Sequence, residues 1–399
     1  MPPRGIVGPT SYRPGMRLLH TSDWHLGRSL HRADLTAAQQ SFTEHLVALV
    51  RAEAVDAVLL AGDVYDRAIP PLDAVALFDD TLHRLRDAGA QVVLISGNHD
   101  SAARLGVNHR LLAQAGVHLR TRLDDAAVPV LLEDGDGPVA VYALPYLEPD
   151  AVRSGLTAAA GRDVGRSHQD VVAAALELVA ADRAHRPPGR SVLMAHGWVH
   201  GGACSDSERD ITVGGVGAVP VSLLDDWEYV ALGHLHRPQQ LGEHVRYSGS
   251  ALPYSFSEAG QRKGSWLVDL GPTGVRDVQF VQTPEYRRLS TISGTVDQLL
   301  TASDFARYTE DFLAVTLLDE VRPAEAMERL RRRFPFVLTL AWQAPEGSSY
   351  EGGYAALIQG RGDVQIATDF VRHTRGTAAD PAERALLEDA FTAVRVGER

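Results

Sequence analysis

Hydrophobic positions along the chain follow two alternating periods. Continuous apolar runs rich in Val, Ile and Leu predict buried strands over 18–21, 57–61 and 92–95. Between them the apolar residues recur at helical spacing. Phe42, Leu46, Leu49 and Val50 mark a helix over 36–52, and a second helix over 72–88 is closed by Gly89. This strand–loop–helix alternation predicts a largely parallel inner sheet.

The pattern then changes to shorter runs. Strands are predicted over 128–132, 139–144, 191–195, 229–232, 246–248 and 265–270, with a helix over 169–183. Together these imply an α/β fold of two sheets stacked face to face with helices outside. A boundary falls near Thr283-Pro284-Glu285. Beyond it a small α+β unit is expected, with helices over 296–300 and 324–334 and strands over 312–318 and 337–342. The organisation predicted is a main domain over 16–283, a small domain over 284–345, and a linker with C-terminal helices over 346–399. In the tail, Phe370, Leu386, Leu387, Ala390 and Phe391 form an apolar stripe, with Asp380 or Pro381 opening the last helix. The pattern leaves open whether that stripe docks on its own domain or on a partner. Residues 1–15 read as a disordered extension, with Met16 as an alternative start.

Five short segments, most of them ending an apolar run, carry Asp, His or Asn: Asp23-Trp24-His25, Gly62-Asp63, Gly97-Asn98-His99-Asp100, Ala195-His196-Gly197 and Gly233-His234-Leu235-His236. In α/β folds, ligands collect at the carboxyl ends of strands. The residue types are those that hold catalytic divalent ions, and the set implies a two-metal phosphoesterase site. Asp63 is the expected bridge between the ions, because it follows a buried strand and Gly62 permits a sharp turn. Asp23, His25 and His236 join it at one ion. Asn98, His196 and His234 join it at the other. His234 and His236 point the same way on an extended segment, whereas a loop feeds both ions from adjacent angles. His99 is expected to act as an acid or electrostatic stabiliser, with Asp100 holding its ring in one tautomer. Arg28 and Arg32 are candidates for phosphate contact, with surface solvation as the competing reading. Asp66 is either a loop cap or a functional group. The basic cluster Arg329, Arg331, Arg332 and Arg333 reads as a solvated helix face or a nucleic-acid contact.

Composition narrows the picture. Cys204 is the single cysteine among 399 residues, which excludes an intrachain disulfide and a cysteine-rich zinc site, and fits a reducing cytoplasm. No run approaches the roughly 20 apolar residues of a membrane span. The net charge of −12 disfavours a wholly basic nucleic-acid binder. It does not exclude an anionic substrate, since paired divalent cations outweigh the carboxylates of Asp23 and Asp63 at the site itself.

In this order the five segments resemble the calcineurin-like metallophosphoesterase superfamily. The resemblance implies a four-layered metallophosphoesterase sandwich and two divalent ions per chain, often Mn2+. Three further stretches are similar to the bacterial SbcD nuclease subunits: Cys204-Ser205-Asp206-Ser207-Glu208-Arg209, Val213-Gly214-Gly215-Val216-Gly217-Ala218-Val219-Pro220, and Tyr247-Ser248-Gly249-Ser250-Ala251-Leu252-Pro253-Tyr254-Ser255-Phe256-Ser257-Glu258. That similarity implies a metal-dependent 3′-to-5′ exonuclease on double-stranded DNA ends. With an SbcC-like ATPase it implies an ATP-dependent endonuclease that opens hairpins in DNA repair, recombination and replication. It further implies a homodimer within a heterotetramer, a small domain that caps the site and orients DNA, and tail helices that dock the ATPase. Archaeal and eukaryotic relatives tend to place a second catalytic histidine shortly after the bridging aspartate; here that stretch offers Asp66. The alternative reading is another enzyme of the superfamily, a phosphodiesterase or phosphatase acting on a smaller substrate.

Overall fold

The computed structural model describes residues 15–209, 218–343 and 360–397. The expectations for 1–14, for 346–359 of the linker and for the 213–217 stretch fall outside them. The chain divides into two compact units, Met1–Ser290 and Thr291–Arg399.

The first unit opens with β1 (Met16–Thr21), a small hairpin of β2 (Ser29–Leu30) and β3 (Ala33–Asp34), α1 (Thr36–Ala52), β4 (Ala57–Ala61), α2 (Leu72–Asp87) and β5 (Gln91–Ile95). Short helices α3 (Ala102–Leu105) and α4 (His109–Gln114) lead to β6 (Val117–Arg120). Then come β7 (Val130–Asp134), β8 (Gly137–Ala143), α5 (Pro149–Ala160), α6 (His168–His185), β9 (Arg190–His196), β10 (Tyr229–Gly233), β11 (Gln239–Leu241), β12 (Val245–Tyr247), β13 (Gly264–Gly271) and β14 (Gly274–Gln282).

These strands form two six-stranded sheets, ordered β14-β13-β1-β4-β5-β6 and β11-β12-β10-β9-β8-β7. In the first, β1, β4, β5 and β6 run parallel, and β13 and β14 close the edge antiparallel. In the second, β8, β9, β10 and β12 are parallel between antiparallel β7 and β11. The inner parallel strands β4, β5 and β10 are buried on both faces, which is why their sequences are nearly continuous apolar runs. Leu18, Leu59 and Val93 of one sheet meet Val141, Val192 and Tyr229 of the other in a shared core. The alternate residues Leu19, Leu60 and Leu94 are also fully buried, on the side of the buried stripes of α1 and α2. On the far side Tyr142, Leu193 and Val230 pack with Leu156 of α5 and Val171, Ala175 and Val179 of α6. The fold is therefore the expected α/β sandwich, helices outside and two sheets within.

Polar groups join the layers. His20 of β1 reaches the Tyr229 hydroxyl with Nδ1 (2.9 Å) and the Leu232 carbonyl with Nε2 (3.1 Å), across the sheet interface. Burial lowers its pKa to about 3, so the ring is neutral there. Arg190 of β9 grips Asp134 of β7 with two nitrogens at 2.6 and 2.8 Å.

Some expected bounds shift. A capping box of Ser167 and Asp170 starts α6 at His168. α5 goes unread in the sequence because it is alanine-rich and buries only Pro149 and Leu156.

The second unit holds a three-stranded sheet of β15 (Leu289–Gly294), β16 (Phe312–Leu317) and β17 (Val337–Trp342), with helices α7 (Val296–Thr301) and α8 (Ala326–Arg331). Its core joins Ile292, Leu299, Leu313, Leu330 and Phe334. The helix expected over 324–334 is shorter because Glu325 adopts a left-handed conformation (φ 52°) and begins α8 behind it. Arg333 donates to the Leu299 and Ala302 carbonyls at the end of α7, Arg329 pairs with Asp297, and Arg332 with Glu328. The tail forms α9 (Asp363–Arg375) and α10 (Pro381–Gly397), linked by an Arg375–Glu383 pair at 2.5 Å. Phe370 and Leu386 are exposed. Among the described residues no helix is long and apolar enough to cross a membrane.

Leu59 sits at the centre of the inter-sheet core with no exposed surface. Leu59→Ala is expected to cost about 2–5 kcal/mol in urea unfolding of the full chain, the range for a cavity that neighbours cannot fill.

Candidate metal centre

Five strand ends of the two sheets converge. Asp23 and His25 follow β1, Asp63 follows β4, Asn98 and His99 follow β5, His196 ends β9, and His234 and His236 follow β10. The loops after β1 and β4 continue the parallel register beyond the strands: Asp23 N–H donates to Gly62 O (3.0 Å), His25 N–H to Asp63 O (3.0 Å) and Leu26 N–H to Val64 O (2.9 Å). The backbone is strained where this happens. Asp23, His25, Asp63 and His234 all have positive φ (51°, 45°, 50° and 106°), a region non-glycine residues enter at a cost. The surrounding bonds hold them there and aim their side chains at one point.

Two glycines keep that point clear. A Cβ on Gly97 would lie 2.1 Å from Asp63 Oδ1. At Gly62 (φ +88°), a Cβ would lie 2.4 Å from His196 Nδ1. The carboxylate and imidazole occupy space that any side chain would fill.

The converging groups are almost entirely acceptors. Asp23, His25 and His236 bring ligand atoms within 4.8 Å of one another, as do Asp23, Asp63 and His196, and His25, Asp63 and His99. His196 donates Nδ1–H to the Ala61 carbonyl (2.8 Å), so its Nε2 lone pair faces Asn98 Oδ1 (2.9 Å) and Asp63 Oδ2 (3.5 Å). His234 Nδ1 stands 3.1 Å from the same Asn98 oxygen. His25 Nε2 lies 3.1 Å from His236 Nε2 and 3.6 Å from Asp63 Oδ2. His25 Nδ1 and Asn98 Nδ2 are buried with no hydrogen-bond partner. Each neutral imidazole has one N–H to offer, but with two carboxylates and an amide oxygen beside them the lone pairs outnumber the hydrogens, and that excess calls for positive charge.

The ionisation equilibria show the same demand. Burial acts to lower the His196 pKa, yet Asp63 and Asp23 carry it up to about 9. Burial acts to raise Asp63, but His196, His25 and His99 hold it well below the usual carboxylate range. Asp23 is raised by burial, and His234 is lowered to about 3 by burial. A proton on His196 meets the demand in part. Divalent cations meet it for the whole set, so the residues fit a metal centre with Asp63 between two donor groups.

The half-buried His99 lies at the rim. Its backbone N–H donates to Asp63 Oδ1 (2.9 Å), its ring Nδ1 bonds to the Asp66 carbonyl (2.8 Å), and it stands edge-on to His25 at 4.7 Å. The expectation that Asp100 orients this ring is corrected. The Asp100 carboxylate instead accepts the backbone N–H groups of Val64 (3.1 Å), Tyr65 (3.0 Å) and Gly97 (2.9 Å), pinning the β4 and β5 loops together. Burial and the neighbouring Asp63 raise its pKa to about 7 against those bonds.

Arg28 is held inward. It donates to Ser207 O (2.9 Å), pairs with Asp66 (3.6 Å) and lies 5.0 Å from the Tyr254 ring centroid, and its Nη1 is buried without a partner. Arg32 is exposed, with φ 72°. Sequence reading gave no role to Ser22, Ser207, Glu208, Glu258 or Lys263. Ser22 bonds the Asp23 carboxylate, Glu208 accepts the His236 N–H (2.8 Å), and Ser207 and Glu258 face His236 Nδ1. For Ser207, Glu208 and Glu258 the only signal was their position inside two of the stretches that resemble the nuclease subunits.

The family model for calcineurin-like phosphoesterases matches residues 16–238, the span that carries all five segments. Among solved structures, a dimetal phosphatase from Danio rerio is 14% identical, with 68% of this chain and 100% of that chain covered and a TM-score of 0.40. TT1561 of Thermus thermophilus gives the same values. GAP50, the anchor in the inner membrane complex of Plasmodium, is 10% identical at TM-score 0.40, with 85% of this chain and 100% of that one covered.

Gly97→Ala is expected to displace Asp63, whose carboxylate oxygen and backbone nitrogen would lie 2.1 and 2.4 Å from the new Cβ, and so to lower uptake of divalent ions together with some loss of stability. Metal content by mass spectrometry checks it; unchanged stoichiometry and affinity would remove Gly97 from the account.

Proposed function

Because the chain belongs to the calcineurin-like phosphoesterase family, whose members are metal-dependent phosphoester hydrolases, we propose that it is a DNA nuclease subunit of the SbcD type. The reading is of a 3′-to-5′ exonuclease on double-stranded ends that, with an SbcC-like ATPase, also opens hairpins. The observation that carries it is the set of seven acceptor side chains, flanked by the Ser205–Glu208 and Tyr254–Glu258 stretches that resemble those subunits. A homodimer, a DNA-orienting second unit and an ATPase docked by α9 and α10 belong to the same proposal.

Asp23, His25, His236 and Asp63 would hold one ion, and Asn98, His196, His234 and Asp63 the other. When bound, such a pair supplies positive charge to the phosphate oxygens and an activated water nucleophile; Mn2+ is the ion proposed. The protein's own contribution is placement. Asp63, with Oδ1 fixed by the His99 N–H and Oδ2 facing His25 and His196, stands between the two groups. His99 bonds the Asp66 carbonyl through Nδ1, so Nε2 is the nitrogen that handles a proton; protonated, it gives one to the leaving 3′ oxygen. Arg28, held by the Ser207 carbonyl and Asp66 but still partly exposed, is a candidate for contact with a phosphate of the bound strand. Arg32, exposed beyond it, is a candidate for backbone contact.

The decisive test offers linear duplex DNA and a chromogenic small phosphodiester side by side with Mn2+. Chelator-sensitive shortening of the duplex is expected. Hydrolysis of the small diester alone would favour the smaller-substrate alternative. Asp63→Ala should lose bound metal and activity together. His99→Ala should keep its metal and lose about 10²–10⁴ in rate, the usual contribution of a general acid. Normal turnover of that variant would end the His99 assignment.

A further inference from the structure

We propose that Glu258 is a positioning residue that fixes which ring nitrogen His236 presents to the metal centre. The inference rests on the reading of Asp23, His25 and His236 as a group that holds an ion. Glu258 ends the short turn Phe256–Glu258, twenty-two residues beyond His236, and is 1% exposed. Its Oε1 lies 3.4 Å from His236 Nδ1 and accepts the Ser207 hydroxyl, which itself reaches Nδ1. Its Oε2 pairs with Lys263 Nζ at 2.6 Å and accepts the Tyr254 N–H at 3.2 Å. Lys263 then donates to the His236 carbonyl (2.7 Å) and to Ser250 Oγ (2.9 Å). The pair therefore grips His236 at both its ring and its backbone.

The consequence concerns one hydrogen. A neutral imidazole has a single N–H, and its place is set by what the other nitrogen faces. An anionic acceptor cluster beside Nδ1 keeps the hydrogen there. Nε2, 3.1 Å from His25 Nε2, then keeps its lone pair for an ion. Glu208 does not serve this purpose, because its Oε1 is taken by the His236 backbone N–H and its Oε2 by Ser205. Lys263 balances the buried carboxylate, so the acceptor is strong without adding net negative charge.

The test compares the full chain with Glu258→Gln/Lys263→Met, which removes both buried charges together, and with Lys263→Met alone. Each is stripped with a chelator and titrated with Mn2+ by calorimetry, with circular dichroism as the check on folding. The wild type is expected to take up two ions. In the double variant the affinity of one site should fall by about 10–100-fold, the usual cost of losing such a partner, while the other site is unchanged. Lys263→Met alone, which keeps the Glu258 carboxylate beside Nδ1 but removes the grip on the His236 carbonyl, should lose less affinity than the double variant; an equal loss would assign the effect to Lys263 and overturn the role of Glu258. A second readout needs no metal and uses Glu258→Gln, which keeps the side chain's shape. Long-range proton–nitrogen NMR should show His236 as the Nδ1–H tautomer in the wild type and as a mixture in that variant. An unchanged tautomer and unchanged affinities in the variants would overturn the role of Glu258 and leave the site reading intact. A wild type that does not bind paired ions would overturn the site reading and this inference with it.

Discussion

A buried excess of lone pairs over hydrogens, gathered at one point, is the constraint that organises this protein. Two carboxylates, an amide oxygen and several imidazole nitrogens meet where the carboxyl ends of the parallel strands in two sheets converge. In water each would be solvated. Inside the sandwich they repel unless positive charge lies among them. The elevated pKa of His196 and the depressed carboxyl of Asp63 are two expressions of that one demand. So is the strain: four of the converging residues sit at positive φ. A chain held in conformations it would otherwise avoid requires a rigid frame. Fully buried strands and cross-sheet hydrogen bonds supply it.

Much of this was legible in the sequence, and the physical reasons are specific. The inner strands could be read because burial on both faces turns them into unbroken apolar runs; α1 and α2 could be read because burial on one face leaves a stripe. β14 escaped because it is an edge strand with half-exposed residues and no clean alternation. The helix over Pro149–Ala160 escaped because alanine carries no periodic signal. Of the site, the residues at strand ends stood out, since an Asp or His beside a glycine breaks an apolar run. The structure brings Asp23, His25, Asp63, Asn98, His196, His234 and His236 together. What the sequence concealed was the surrounding scaffold. Nothing in the order of residues says that Asp100 takes three backbone amides rather than a histidine ring, because that depends on how the β4 and β5 loops approach in space.

The polar surroundings also show how the later part of the chain serves the earlier. Ser205, Ser207 and Glu208 come from one loop, Glu258 and Lys263 from another, and all meet at His236. Arg28, from the first loop, donates to Ser207. Segments far apart in the chain thus share one hydrogen-bonded cluster, and each depends on the others for its geometry.

The backbone N–H of His234 donates to both carboxylate oxygens of Asp23, at 3.0 and 3.1 Å. Asp23 follows a strand of one sheet and His234 a strand of the other. The reactive centre is thereby a vernier between two slabs: if the slabs slid past each other by even one pleat, the donors on either side would fall out of mesh. The geometry of the site is thus a gauge of how the two halves of the sandwich are aligned.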